Sequence, residues 1–104
     1  MKFEISPKKT EIDCDWYTAV MYCFTLGPGW RLPTFSELVE MKSTNYDFCD
    51  SRGYGNWYWS STQSPHDYGG YRDSVLTFNM EHDRAGDLVK HVDGNTVRAV
   101  RDLC

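Results

Sequence analysis

No stretch of this sequence approaches the roughly 18 apolar residues that a membrane-spanning helix needs. No apolar run follows the lysines of the opening Met1-Lys2-Phe3-Glu4-Ile5-Ser6-Pro7-Lys8-Lys9, so that opening does not read as a secretory signal. With an initial Met, the expectation is a cytoplasmic protein with no membrane partner. Cys-x-x-Cys is missing, which disfavours a zinc knuckle or a redox dithiol. Glycine-rich phosphate loops, nucleophile elbows and zinc-binding helix motifs are missing too. There is no basic excess: the formal charge is −4 and the pI about 5.2, so non-specific attraction to a polyphosphate backbone is not expected. Internal repeats, linkers and low-complexity tracts are absent. These absences together lead us to expect no cofactor, no metal and no direct nucleic-acid contact.

What is present is aromatic bulk. At 15% Phe, Trp and Tyr in 104 residues, the chain carries much burial per residue, which suits one small, loop-rich domain spanning 1–104. Lys2 to Ser6 reads as a short strand ended by Pro7. Asp13 or Asp15 caps a helix over about 16–26, in which Trp16, Ala19, Val20 and Cys23 form one apolar stripe before Gly27 and Pro28 stop it. Thr34 and Glu37 form a capping box that starts a second helix, Phe35 to about Lys42, with Leu38 and Met41 inward. Residues 45–56 and 64–70 read as loops. Trp57–Ser61, Val75–Phe78, Leu88–Val92 and Thr96–Arg101 read as strands, and Asp93-Gly94-Asn95 predicts a hairpin between the last two. Two helices followed by antiparallel strands make an α+β layout.

The most specific segment is Gly29-Trp30-Arg31-Leu32-Pro33-Thr34 with Phe35-Ser36-Glu37-Leu38 behind it. Gly29 and Pro33 bracket a bend, and Pro33 pushes Leu32 towards an extended conformation. Around it stand Asp15-Trp16-x-x-Ala19-x-x-x-Cys23, Tyr58-Trp59-Ser60-Ser61-Thr62 and Val97-Arg98-Ala99-Val100-Arg101. This order of motifs, over residues 13–102, resembles the bacterial and phage domain family related to the C-terminal domain of a Legionella collagen-like protein. The resemblance implies a C-type-lectin-like fold, shared distantly with formylglycine-generating enzymes: two helices on a small, mainly antiparallel sheet with long irregular loops, and the first and last strands adjacent. It also implies that a helix-1 cysteine, here Cys23, pairs with one in the final strand. This chain has Ala99 at that place, and Cys104 lies five residues later. By count alone, Cys14, Cys23, Cys49 and Cys104 allow three pairings; in a cytoplasmic protein we expect free thiols. The calcium motifs of calcium-dependent lectins, Glu-Pro-Asn or Gln-Pro-Asp with a later Trp-Asn-Asp, are absent. So is the cysteine pair of the oxidases, and Asp83 and Asp87 supply too few oxygens for a calcium cage.

The expected core is Trp16, Ala19, Trp30, Leu32, Leu38, Trp59, Phe78 and Val97. Arg31 is expected to bridge loop carbonyls or a carboxylate. Arg98 and Arg101 are expected on opposite strand faces, one of them paired with a loop acid such as Asp47 or Asp50. His66, His82 and His91, each near an aspartate, read as solvated surface. The expected contact surface is Tyr54, Asn56, Tyr58, Tyr68, Tyr71 and Arg72, because tyrosines mixed with Ser, Gly and Asn are what binding loops use. No convergent nucleophile, base and oxyanion donors can be named, so the chain is expected to be a binding protein and not an enzyme. The first expectation is a protein partner; size and family habit suggest a phage-encoded protein aimed at a host factor in the host cytoplasm. The alternative is a glycan- or small-ligand-binding adhesin-type domain.

Overall fold

A computed structural model describes residues 2–44, 57–65, 74–90 and 92–103. Asp15 takes extended backbone and its carboxylate accepts from the Thr18 amide at 2.7 Å, starting α1, Trp16–Thr25. Gly27, at φ +124°, ends it. The capping box forms as expected: Thr34 Oγ1 accepts from the Glu37 amide, and Glu37 Oε1 accepts from the Thr34 amide. It opens α2, Phe35–Ser43. The start of α2 is tied to the sheet by the Phe35 amide donating to Thr62 Oγ1 and the Ser61 amide donating to the Pro33 carbonyl, both at 2.9 Å.

The strands are β1 (Phe3–Ile5), β2 (Ile12–Cys14), β3 (Trp30–Arg31), β4 (Trp57–Gln63), β5 (Ser74–Asn79), β6 (Arg84–Val89), β7 (Asn95–Val97) and β8 (Val100–Asp102). They make two sheets, β1-β8-β3 and β2-β7-β4-β5-β6, antiparallel except where β4 meets β7. The first and last strands pair, Phe3 opposite Asp102. The fold is therefore α+β, as expected. Among the described residues, no helix is long and apolar enough to cross a membrane.

Alternation along β4 and β5 gives the five-stranded sheet a core on each face. On one face Tyr58 and Phe78, directly opposite each other, meet Leu38 and Met41 of α2, together with Phe3, Met80 and Val100. On the other, Trp59 and Val75 meet Ala19 and Cys23 of α1, with Leu32, Val97 and Ala99. Trp59 is fully buried, and its indole N–H donates to the Cys14 carbonyl at 2.7 Å. Two expected core residues are only half-buried. The Trp16 indole donates to the Ser60 carbonyl and carries the Lys90 ammonium on its face, while Trp30 lies under the Arg101 guanidinium at 4.7 Å. Both rings seal the edge of the α1-side core and leave one side for a cation.

The predicted hairpin at Asp93-Gly94 does not form. The hairpin is one connection earlier: Asn79 Oδ1 accepts from the amides of Glu81 and His82, Asp83 adopts φ 56°, and β5 turns directly into β6. Gly94, at φ 114°, does turn the chain, but it delivers β7 between β2 and β4, with β4 and β5 standing between it and β6. There both edges of β7 are paired and both its faces are packed, and Asn95, Thr96 and Val97 are all buried.

Nor is 96–101 one strand. At Arg98 and Ala99 the chain leaves the five-stranded sheet for the three-stranded one, and Ser6 fills the break. The Ser6 amide donates to the Ala99 carbonyl, the Ala99 amide donates to Ser6 Oγ, and Arg98 Nε donates to the Ser6 carbonyl. Arg98 is 3% exposed and pairs with Glu11 at 2.7 Å; the Tyr58 hydroxyl donates to the same carboxylate oxygen. Arg101 is paired with Glu4. Among the described residues the carboxylates on Arg98 and Arg101 are two N-terminal glutamates; the loop acids expected as partners, Asp47 and Asp50, lie outside the described residues.

Arg31 bridges carboxylates as expected, forking onto both oxygens of Glu37 at 2.7 and 2.8 Å and reaching Asp102 at 2.6 Å. Those bonds, first of all to Arg31, hold the Glu37 carboxyl below its ordinary value of 4.5. A lowered carboxyl stabilises the fold above the unfolded-state pKa and loses that contribution as pH falls. The parent's advantage over Glu37→Gln, which keeps the capping box, is therefore expected near neutral pH and should shrink as the pH falls below the ordinary 4.5 and through the lowered folded-state value. Denaturant midpoints that stay equally far apart at pH 3 and pH 7 would refute this.

The buried ion pair gives a second expectation. Removing one partner strands the other charge, so Glu11→Ala should cost about 3–5 kcal/mol, while an apolar double replacement such as Glu11→Leu with Arg98→Met should cost much less. Urea unfolding checks both, and a Glu11→Ala loss below about 1 kcal/mol would mean the pair is not holding the sheet junction.

Candidate functional site

Of the six residues expected to form a contact surface, only Tyr58 lies within the described residues; Tyr54, Asn56, Tyr68, Tyr71 and Arg72 lie outside them. Tyr58 is not a surface residue. It is 0% exposed, packed against Leu38 and Met41, with its hydroxyl on Glu11. The strand alternation that sends Trp59 to the α1 side sends Tyr58 to the α2 side, and both sides are covered.

Among the described residues, three of the six exposed large apolar side chains are on α1; the others, Val39, Val92 and Leu103, stand on three separate segments. The α1 sequence, WYTAVMYCFT, contains no charged residue. Ala19 and Cys23 face the core, while Tyr17, Met21 and Phe24 are 50%, 64% and 65% exposed. Their spacing, i, i+4 and i+7, places them on one stripe of the outer face. The helix is therefore apolar on both faces, although only one is covered. By contrast the exposed positions of α2 are mostly polar, Ser36, Glu40 and Ser43, with Val39 the one large apolar residue among them. The signal was available in the sequence: ten helical residues without a charge exceed what one buried stripe needs.

Carboxylates gather at the start of α1. Asp15 caps it, Asp13 precedes it on β2 opposite Thr96, and the Trp16 amide donates to the Lys90 carbonyl, bringing the turn with Asp93 alongside. The Cys14 thiol reports all three. Burial first, then Asp15, Asp13 and Asp93, push it up to about 11. Burial, then Cys14, push Cys23 up to about 11 as well.

A second feature is a depression of about 160 Å³ lined by Trp57, Thr77, Gly86, Asp87, Leu88 and Asn95. Gly86 is required there: a Cβ would come within 2.8 Å of the Trp57 ring. Ligand pockets for drug-sized molecules run from about 300 Å³ upward, so this hollow takes at most a small ring or side chain. Ser64 Oγ donates to Asp87 at 2.6 Å, within the same wall. His82 is exposed beside Glu81, and His66 and His91 lie outside the described residues. Among the described residues, no three His, Cys, Asp or Glu side chains come together as a metal-ligand group.

No family model matches the sequence, and no curated protein matches it significantly.

Cys14 and Cys23 are free thiols. Thiolate is the reactive form, and a rise from the ordinary 9.0 to about 11 lowers its fraction at neutral pH about a hundredfold. In the native protein both should therefore react with iodoacetamide far more slowly than after denaturation, with rates still climbing beyond pH 9. Peptide mapping by mass spectrometry measures this, and equal native and denatured rates would contradict it.

Proposed function

We propose that this protein is a non-enzymatic protein-binding module on a C-type-lectin-like scaffold, acting in the cytoplasm, and that it docks through the outer face of α1. The observation that carries the reading is the uncharged stripe Tyr17, Met21 and Phe24, each at least half exposed to water. Three large apolar side chains aligned on one short helix are an interaction-site signature, whereas scattered single ones are ordinary. The pairing of the first and last strands and the two helices flanking a mainly antiparallel sheet support the scaffold. A role on a host factor, as for a phage-encoded protein, agrees with such a surface.

The alternative, a glycan- or small-ligand-binding domain, has its own observation in the Trp57 depression, where an aromatic ring stands beside Thr77, Asp87 and Asn95. Its small volume leaves the α1 face as the favoured site.

Met21→Glu and Phe24→Glu should leave the melting temperature nearly unchanged, since both side chains already face solvent, yet remove the protein that the parent recovers from lysate. Alanine at the same positions should weaken that complex by about 1–2 kcal/mol each. Chelator should change neither property. Equal recovery by Met21→Glu and the parent, or loss of the complex on chelation, would overturn the reading.

A further inference from the structure

We propose that the hollow beside Trp57 binds a single phenolic ring, with the ring against Trp57 and Leu88 and the hydroxyl on Thr77 and Asn95. This is a second site, and it does not depend on α1 being the docking face. Four neighbouring strands build it: Trp57 stands on β4, Thr77 on β5, Gly86, Asp87 and Leu88 on β6, and Asn95 on β7. Side chains carried by paired strands are held more firmly than those on loops. Thr77 lies directly opposite Gly86. Because Gly86 has no side chain, the Trp57 ring comes down over β6, and Thr77 Oγ1 sits 3.2 Å from where a Cβ of Gly86 would be.

Two polar side chains in this wall have no internal use. Thr77 is 2% exposed and Asn95 8%, and among the described residues neither side chain makes a hydrogen bond. By contrast Ser60 Oγ, Ser64 Oγ and Asn79 Oδ1 are all engaged. A buried hydroxyl or amide left unpaired costs stability, and here both line an open hollow where a ligand can pair them. Size and charge narrow that ligand. The volume is about 160 Å³, and a cavity of about 150 Å³ holds a benzene ring. A pyranose carries hydroxyls all round its ring, more than two side chains can pair. Asp87 already accepts from Ser64 Oγ, and no Lys or Arg is among the described lining residues, which disfavours an anion. A bare apolar ring would displace water and leave Thr77 and Asn95 unpaired. A phenol is neutral at pH 7, and its hydroxyl donates to one of these side chains while accepting from the other.

NMR on the isotope-labelled full chain, with p-cresol and toluene as probes, tests this. p-Cresol should shift the Trp57 indole N–H, the Asn95 side-chain amide and the Gly86 amide with a Kd on the order of 1 mM, and bind about tenfold more tightly than toluene. Thr77→Val keeps the volume and removes the hydroxyl. It should hold or raise the melting temperature, weaken p-cresol severalfold and leave toluene unchanged. Asn95→Ala should also weaken p-cresol, and Thr77→Val decides the matter if that variant does not fold. Met21→Glu with Phe24→Glu should leave p-cresol binding intact, so this site and the α1 face are judged separately. A glycine-flanked tyrosine peptide that binds at least as tightly as p-cresol, with its phenylalanine counterpart weaker, identifies a presented side chain as the ligand. Binding of p-cresol without the peptide identifies a free phenol. Equal affinity for p-cresol and toluene, or p-cresol binding undiminished in Thr77→Val, would overturn the proposal. So would shifts confined to α1, or the absence of saturable shifts at the hollow.

Discussion

Arg98 is buried where the chain passes from one sheet to the other, and the rest of the architecture is arranged around that charge. Its guanidinium holds the Ser6 carbonyl and the Glu11 carboxylate, and Glu11 in turn accepts from Tyr58. One side chain thus links the β1–β2 connection, the β7–β8 junction and the central strand β4. A buried ion pair contributes little net stability, because desolvation offsets most of the Coulombic gain. What it does here is exclude alternatives: any pairing that moved β7 or β8 would leave an arginine or a glutamate buried alone. Among the described residues Glu11 Oε1 has no hydrogen-bond partner although it is buried, which makes any further loss at this carboxylate expensive.

The two cores depend on the same junction. Tyr58 belongs to the α2-side core and Val97 and Ala99 to the α1-side core, so the Arg98 cluster stands between them. A second arginine closes the far corner: Arg31 joins Glu37 of α2 to Asp102 of β8, which fixes the helix start against the terminal strand. Both arginines work through planar, multidentate geometry, which a lysine would not reproduce. The GWRLPT element is therefore a corner piece, and its chemistry is used internally.

The polar groups that first suggest chemistry, among them Arg31, Arg98, Ser60 and Tyr58, are occupied inside the fold. The thiols of Cys14 and Cys23 are kept protonated by burial. Among the described residues, the uncharged outer face of α1 is the largest group of exposed apolar side chains on one element, and it is the surface on which the proposed recognition of another protein rests.

Local signals in the chain determined the elements whose cause lies within a few residues: the Asp15 cap, the Thr34–Glu37 box, the inward Leu38 and Met41, and the strands at Phe3–Ile5 and Ser74–Asn79. The motif order also carried the pairing of first and last strands. Long-range packing decided the remainder. Asp93-Gly94 turns the chain in either fold, and nothing in those residues says that β7 enters between β2 and β4 instead of lying beside β6. Tyr58 reads as a binding-loop tyrosine until α2 is laid over it and Glu11 receives its hydroxyl. Trp16 and Trp30 read as core until the cations of Lys90 and Arg101 are found on their faces. The α1 stripe is the converse case. Its apolar residues were all legible, but periodicity marks both of its faces alike, and only the position of the sheet determines which one is left to meet water.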